Sequence, residues 1–296
     1  MARNHLLERR LIRVKNSPSV LAVVVQFRAG PSDLLPLIEY LSRSYSHWDL
    51  TIAIVENGTL GSFVLPSQFD KRVEVLRPGI NLGYGGALEL ARRAFPAEYI
   101  WVFQEDIMPM PNCGDNLLAA FDQYEGKSPV GIVSPIEEPR ASTGIRRDRL
   151  HRVDLQNKVQ LGKSENISYE TPIYREWQNL SHIEFVYLSG AMIRSRTLNR
   201  IGGFDATLWP LMWVDLDVCV RTQLEGYAIG HSPQAVITHS RGRYSSDIKQ
   251  WKKVALEAHF EKVSEKYSPK AGQFNDIPIT AIPHELIRDV AEGMSA

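Results

Sequence analysis

Tyr99-Ile100-Trp101-Val102-Phe103-Gln104-Glu105-Asp106-Ile107-Met108-Pro109 is the stretch on which the fold turns. Its first five residues are an apolar run rich in β-branched and aromatic side chains, the pattern of a strand buried on both faces of a sheet. At Gln104-Glu105-Asp106 the run gives way at one step to polar and acidic residues. In open α/β sheets ligands bind beyond the carboxyl ends of the strands, so acids at this point are candidates for holding a cation or a polar substrate.

Working outward, the same pattern recurs. Residues 20–27 (VLAVVVQF) read as a buried strand, and Pro31-Ser32-Asp33 opens a helix with Leu34, Leu37, Ile38 and Leu41 on one face. Residues 50–55 read as a second strand ending at Glu56-Asn57-Gly58, and 72–76 as a third. A glycine-rich turn over 81–86 (NLGYGG) then leads into a helix over 87–95. This rhythm predicts an α/β sheet with mostly parallel strands and helices on both faces. Further on, 117–124 reads as a helix and 130–134 as a strand. Periodicity fades over 135–182, where Arg140, Arg146, Arg147, Arg149 and Arg152 crowd a polar segment read as a long functional loop or a solvated one. Strand character returns over 183–193, followed by a short helix through Leu198 and a break at Gly202-Gly203-Phe204-Asp205. A helix is expected over 215–225, then two short strands over 227–230 and 235–238 around Pro233, the second ending at His239. Residues 251–267 read as an amphipathic helix.

Composition narrows the class. A chain of 296 residues, 44% hydrophobic, can bury a sizeable core. Lys+Arg and Asp+Glu balance at 34 each, so no global field recruits nucleic acid, and none is expected as a partner. Cys113 and Cys219 have no Cys-x-x-Cys spacing, which argues against a thiolate metal site and fits a reducing compartment, the cytoplasm by default. No apolar run reaches the roughly 20 residues a spanning helix needs. The opening segment sets Arg3, Arg9, Arg10, Arg13 and Lys15 around Leu6, Leu7, Leu11 and Ile12. It is either a solvated, frayed terminus, the preferred reading, or a short basic helix making peripheral contact with an anionic membrane.

Glu56, Asn81 and Asp106 each fall just past a strand, so in a parallel sheet they converge on one crevice. Each also has a plain reading: Asn-Gly is a turn, and Glu105 and Asp106 are solvated acids at a strand end. The glycines of 81–86 let backbone approach a phosphate or sugar, with a helix N-terminus behind them. Leu88 stands where the third glycine of a dinucleotide fingerprint should fall, which disfavours that reading. His239 could join the acids as a cation ligand. Asp215 and Asp217 open a helix, where acids have an ordinary dipole role, yet they follow Trp209 and Trp213, whose aromatic faces suit sugar rings.

Together these segments resemble the inverting glycosyltransferases of family 2, with the GT-A fold, in their rhamnosyltransferase-like and galactofuranosyltransferase-like branch. Glu56-Asn57-Gly58 is similar to the family's Asp-Asn-Gly turn, 81–86 to its Asn-x-Gly-x-Gly-Gly loop, and Gln104-Glu105-Asp106 to its Asp-x-Asp metal motif. Gly202-Gly203-Phe204-Asp205, Trp213-Val214-Asp215-Leu216-Asp217 and His239 resemble its acceptor-side signature. The resemblance implies Asp215 as catalytic base and Asp106 and His239 as ligands of Mg²⁺ or Mn²⁺. It implies a nucleotide-sugar site of Phe27, Arg28, Glu56, Asn81, Gly83, Gly85, Gly86, Gln104 and Glu105, and an acceptor side of Trp209, Trp213, Asp217 and Gly190.

The activity so implied is transfer of a sugar from a dTDP-rhamnose or UDP-hexose type donor to a hydroxyl of a glycan or lipid-linked acceptor, as in polysaccharide biosynthesis. The implied layout is an extension over 1–19, a GT-A domain over 20–245 with a nucleotide half (20–135) and an acceptor half (183–245), and a helical extension over 246–296. Homo-oligomerisation is left open. Gln104 and Glu56 depart from the family's aspartates. Two competing readings are therefore a non-catalytic nucleotide- or glycan-binding subunit and a sugar-phosphate nucleotidyltransferase, which would want a glycine- and lysine-rich loop near the first strand.

Overall fold

The computed structural model describes residues 17–27, 31–58, 64–69, 72–124, 129–139, 150–154, 159–163, 183–208, 213–239, 260–263 and 265–267. The basic N-terminal segment, Arg28, the arginine-bearing stretch 140–149, Trp209 and most of the expected helix over 251–267 lie outside them.

The chain opens with β1 (Ser19–Gln26), α1 (Pro31–Ser44), β2 (Asp49–Glu56), β3 (Val73–Leu76), α2 (Gly83–Ala94) and β4 (Tyr99–Gln104). A short β5 (Ile107–Pro109) follows the acids at once, then α3 (Cys113–Tyr124) and β6 (Val130–Pro139). The second half carries β7 (Leu150–Asp154), β8 (Val159–Lys163), β9 (Ile183–Val186), β10 (Met192–Arg194), α4 (Ser195–Arg200), α5 (Val214–Leu224) and β11 (Ala228–His239).

The main sheet has eight strands in the order β3-β2-β1-β4-β10-β6-β11-β5. The pairs β3/β2, β2/β1, β1/β4 and β6/β11 are parallel; β10 runs antiparallel to both its neighbours, and β5 antiparallel to β11. Strand alternation divides the apolar runs between two faces. Leu21, Val23, Val25, Ile100 and Val102 pack with α2, α4 and α5, whereas Val20, Ala22, Val24, Trp101 and Phe103 pack with α1 and α3. The four apolar residues expected on one face of α1, Leu34, Leu37, Ile38 and Leu41, are fully buried.

Several expectations are corrected. Within 135–182, β6 continues to Pro139, and β7 and β8 join β9 in a separate antiparallel sheet, β8-β7-β9. The single strand expected over 183–193 is two strands in different sheets, parted by a turn at Ser189-Gly190. The two short strands around Pro233 are one strand, β11, whose register against β6 shifts between Ser232 and Val236. A proline cannot supply a ladder hydrogen bond, and a bulge absorbs that loss. Val263 and Tyr267, near the end of the described chain, are fully buried in the core beside α5.

Candidate functional site

The parallel strands end in step. Gln26 pairs with Glu56, and Val25 with Gln104, so the polar ends of β1, β2 and β4 form one row along the carboxyl edge. The Phe27 N–H donates to Glu105 Oε2 at 3.2 Å, which ties β1 to the acidic turn. Glu56 is 2% exposed; one carboxylate oxygen accepts from Arg77 Nε at 3.1 Å, and the other, Oε1, is buried without a hydrogen-bond partner. An unsatisfied buried carboxylate oxygen costs free energy unless something donates to it.

The glycine-rich segment is not a loop ahead of a helix: α2 begins at Gly83, so Gly83, Gly85 and Gly86 form its first turn. Two N–H groups at the helix start are taken up by asparagine side chains. Leu82 N–H donates to Asn57 Oδ1 at 2.7 Å and Gly83 N–H to Asn81 Oδ1 at 2.8 Å, while Asn57 Nδ2 donates to the Gly83 carbonyl at 3.1 Å. Gly85 is required by contact, since a Cβ there would lie 2.7 Å from the carbonyl oxygen of Asp205. This glycine therefore seats the helix start against the Gly-Gly-Phe-Asp turn. Glu89, on the same helix, is fully buried; it accepts from the Phe204 N–H at 3.0 Å and pairs with Arg92 and Arg93. Burial alone would raise the Glu89 carboxyl, but the two guanidiniums outweigh it and hold it below the usual carboxylate range.

The acidic turn owes its position to β5. Ile107 is in register with His239 across the β5/β11 pair, which sets Asp106 beside the end of β11. Asp106 Oδ2 lies 3.2 Å from His239 Nε2, and His239 Nδ1 lies 3.7 Å from a carboxylate oxygen of Glu137, a buried residue of β6. A carboxylate and an imidazole converging here are donors that fit a divalent cation which takes its remaining ligands from a diphosphate and water. Among the described residues no group of three or more His, Cys, Asp or Glu is arranged to hold a metal ion by itself.

Asp215 and Asp217 open α5, and the structure treats them differently. Asp215 is half-buried, and its Oδ1 accepts the Leu188 N–H at 3.0 Å. Asp217, expected on the acceptor side, is fully buried inside the protein. Its carboxylate accepts from Arg221, Lys266 and the Tyr267 hydroxyl. Burial would raise the Asp217 carboxyl, but Arg221 and Lys266 hold it low instead. The i,i+4 spacing of Asp217 and Arg221 was the sequence signal for this internal pair. Trp213, also expected on the acceptor side, is 7% exposed, with its ring against Phe260 (centroids 4.7 Å apart) and Phe185 (6.1 Å). Its φ of 67° is left-handed, a conformation that costs a bulky residue on the order of 1–3 kcal/mol. Gly190 is buried, and its carbonyl accepts from Trp101 Nε1 at 2.9 Å. With a φ of 83° and a Cβ position 2.9 Å from Ile237, it is the residue the β9-to-β10 turn needs.

Two residues that the sequence reading passed over bear on the site: Arg77, which pairs with Glu56, and Glu137, beside His239. Asn57 was read only as part of the Glu56-Asn57-Gly58 turn, and its role at the start of α2 had no sequence signal. Glu137 left a trace as a carboxylate following the apolar run that starts β6.

No protein-family profile matches the chain, and no curated protein does. Among solved structures, GalNAc-T7 with UDP, GalNAc and Mn²⁺ superposes with a TM-score of 0.59 at 12% identity, over 94% of this chain and 55% of that one. S. aureus TarS 1–349 with UDP-GlcNAc superposes with a TM-score of 0.50 at 11% identity, over 83% of this chain and 69% of that one. This chain thus spans about half the length of the GalNAc-T7 structure. The likeness shows the fold: an α/β, mixed and mostly parallel sheet of the GT-A type.

Proposed function

We propose that the chain is a metal-dependent glycosyltransferase that moves a sugar from a nucleotide-diphosphate donor to an acceptor hydroxyl with inversion. The observation that carries this reading is the meeting of Asp106 and His239 at 3.2 Å, at the carboxyl edge of a GT-A sheet whose structural neighbours were solved with UDP, Mn²⁺ and UDP-GlcNAc.

In this reading the row formed by Phe27, Glu56, Gln104 and Glu105 lines the nucleotide side. The buried Oε1 of Glu56 offers an acceptor to an N–H of the base, and the start of α2, with Asn81 and its glycines, faces the diphosphate. Asp106 and His239 hold Mg²⁺ or Mn²⁺, which neutralises charge on the departing diphosphate when bound. Asp215 is the general base. Held at one oxygen by the Leu188 N–H, its carboxylate takes the proton from the acceptor hydroxyl as that oxygen attacks the anomeric carbon opposite the leaving group. The nucleotide half, 20–135, binds the donor and the acceptor half, 183–245, carries the base. Arg28 and Trp209 keep their proposed places on the donor and acceptor sides.

A panel of dTDP- and UDP-sugars tested by thermal shift, with Mn²⁺ and with EDTA, examines the reading directly. A ligand bound to the native state at 100 times its Kd stabilises by about 2.7 kcal/mol, so a true donor raises the Tm, and only with the metal present. No shift with any nucleotide sugar in the presence of Mn²⁺ would contradict it.

A further inference from the structure

The last described segment of the chain reaches back to both ends of the turn that carries Asp215. On one side Phe260 stacks on Trp213, two residues before Asp215 and held at a positive φ. On the other, Lys266 Nζ donates to Asp217 Oδ1 at 2.7 Å, and the Tyr267 hydroxyl donates to the same carboxylate. Lys266 also donates to Asp205 Oδ2 at 2.7 Å, so one ammonium joins the first turn of α5 to the Gly-Gly-Phe-Asp turn. Arg221 closes the ring, with Nη1 donating to the carbonyls of Ile201 at 2.6 Å and Gly203 at 2.7 Å while its Nε donates to Asp217 at 2.9 Å.

Charge makes the arrangement more than packing. Asp205 and Asp217 are nearly or wholly buried, and Arg221 and Lys266 are the two cations paired with them. Without Lys266 the ring holds two carboxylates and one cation. A buried charge that loses its partner drives local rearrangement, and the adjoining turn at Trp213 is the element set to yield, because its left-handed backbone persists only while its surroundings enforce it.

We propose that Phe260, Lys266 and Tyr267 are positioning residues for Asp215: they hold the Trp213 turn and the first turn of α5 so that the carboxylate meets the Leu188 N–H and the acceptor. The inference rests on the reading of Asp215 as the base. Phe260, Lys266 and Tyr267 then act on catalysis through backbone placement, without touching substrate.

The test uses the full chain as wild type, Lys266→Met, Lys266→Arg, Tyr267→Phe and Asp215→Asn, read by hydrogen exchange and by steady-state kinetics. Lys266→Met should speed exchange at the first-turn amides of α5 at least tenfold while the β4 amides stay within twofold. It should also lower kcat at least tenfold at unchanged donor KM, with Lys266→Arg restoring both. If Lys266→Met does not fold, Tyr267→Phe removes a single oxygen and should show the same local loss of protection. Unchanged exchange in α5, or faster exchange spread evenly over the sheet, overturns the proposal. Wild-type kcat in Lys266→Met beside an inactive Asp215→Asn overturns it while leaving the base in place. Full turnover by Asp215→Asn instead overturns the base reading and the catalytic part of this inference with it, and the exchange measurement still decides whether the clamp exists.

Discussion

Asp106 and His239, far apart in sequence, are brought to 3.2 Å by a three-residue strand, β5, that pairs with the end of β11. His239 is the last residue of the long strand β11, whereas Asp106 lies between β4 and β5, on no element of its own. The contact depends on Ile107 lying opposite His239, so a register slip of one residue would turn the neighbouring side chains to the other face.

Replacing either partner should weaken metal-dependent binding. Asp106→Ala and His239→Ala are each expected to raise the Kd for Mn²⁺ at least tenfold, about 1.4 kcal/mol, and to leave donor binding equally weak with and without EDTA. Mn²⁺ titration followed by electron paramagnetic resonance reads this without any turnover. Wild-type Mn²⁺ affinity in both variants would remove these residues from the metal site.

His231 should make the fold acid-sensitive. It lies in β11, 2% exposed, with neither ring nitrogen hydrogen-bonded, and burial lowers its pKa from the ordinary 6.5 to about 4. Because the folded protein resists protonation that the unfolded chain accepts, this stability is complete above pH 6.5 and is lost as pH falls from there toward 4. At pH 5 the loss attributable to His231 is about 2 kcal/mol. Urea unfolding at pH 7 and pH 5 should show a smaller drop in His231→Leu than in wild type, and equal drops would refute the assignment.

The glycines of the 81–86 segment and of the Gly-Gly-Phe-Asp turn should be intolerant for packing reasons. Gly85→Ala gains up to about 1 kcal/mol of helix propensity but forces its Cβ to 2.7 Å from the Asp205 carbonyl, an overpacking that costs about 1–3 kcal/mol. A net loss of stability is expected. Gly203→Ala should cost more, because φ is 91° and the added carbon meets the Glu89 carboxylate. Chemical denaturation of the two variants orders them, and a stabilised Gly85→Ala would show that the helix start can shift without cost.

The strands β1, β2 and β4 and helix α1 were legible because their apolar patterns are local and continuous, and a run such as Val20-Leu21-Ala22-Val23-Val24-Val25 leaves no competing reading. What escaped was fixed at long range. The start of α2 is set by Asn57, a residue of another strand end, so the low helix propensity of Gly83, Gly85 and Gly86 misplaced it by four residues. β5 ends in proline and is too short to carry a period. β7 and β8 sit in polar sequence whose pairing gives no alternation strong enough to read. At the site, the residue types at the strand ends were visible, whereas the inward turn of Asp217 and Trp213 was not. Their burial depends on Phe260, Lys266 and Tyr267, which arrive from a segment well downstream in the sequence.

The most direct measurement is the turnover of Asp215→Asn set beside its donor affinity. Asparagine keeps the size of the side chain and can still accept the Leu188 N–H, but it cannot take a proton at neutral pH. The expected result is a kcat lower by about 10²–10⁴ with the nucleotide sugar bound in the presence of Mn²⁺ as tightly as by wild type. Near-normal turnover, or a loss of donor binding that accounts for the whole effect, would contradict the assignment of Asp215 as the base.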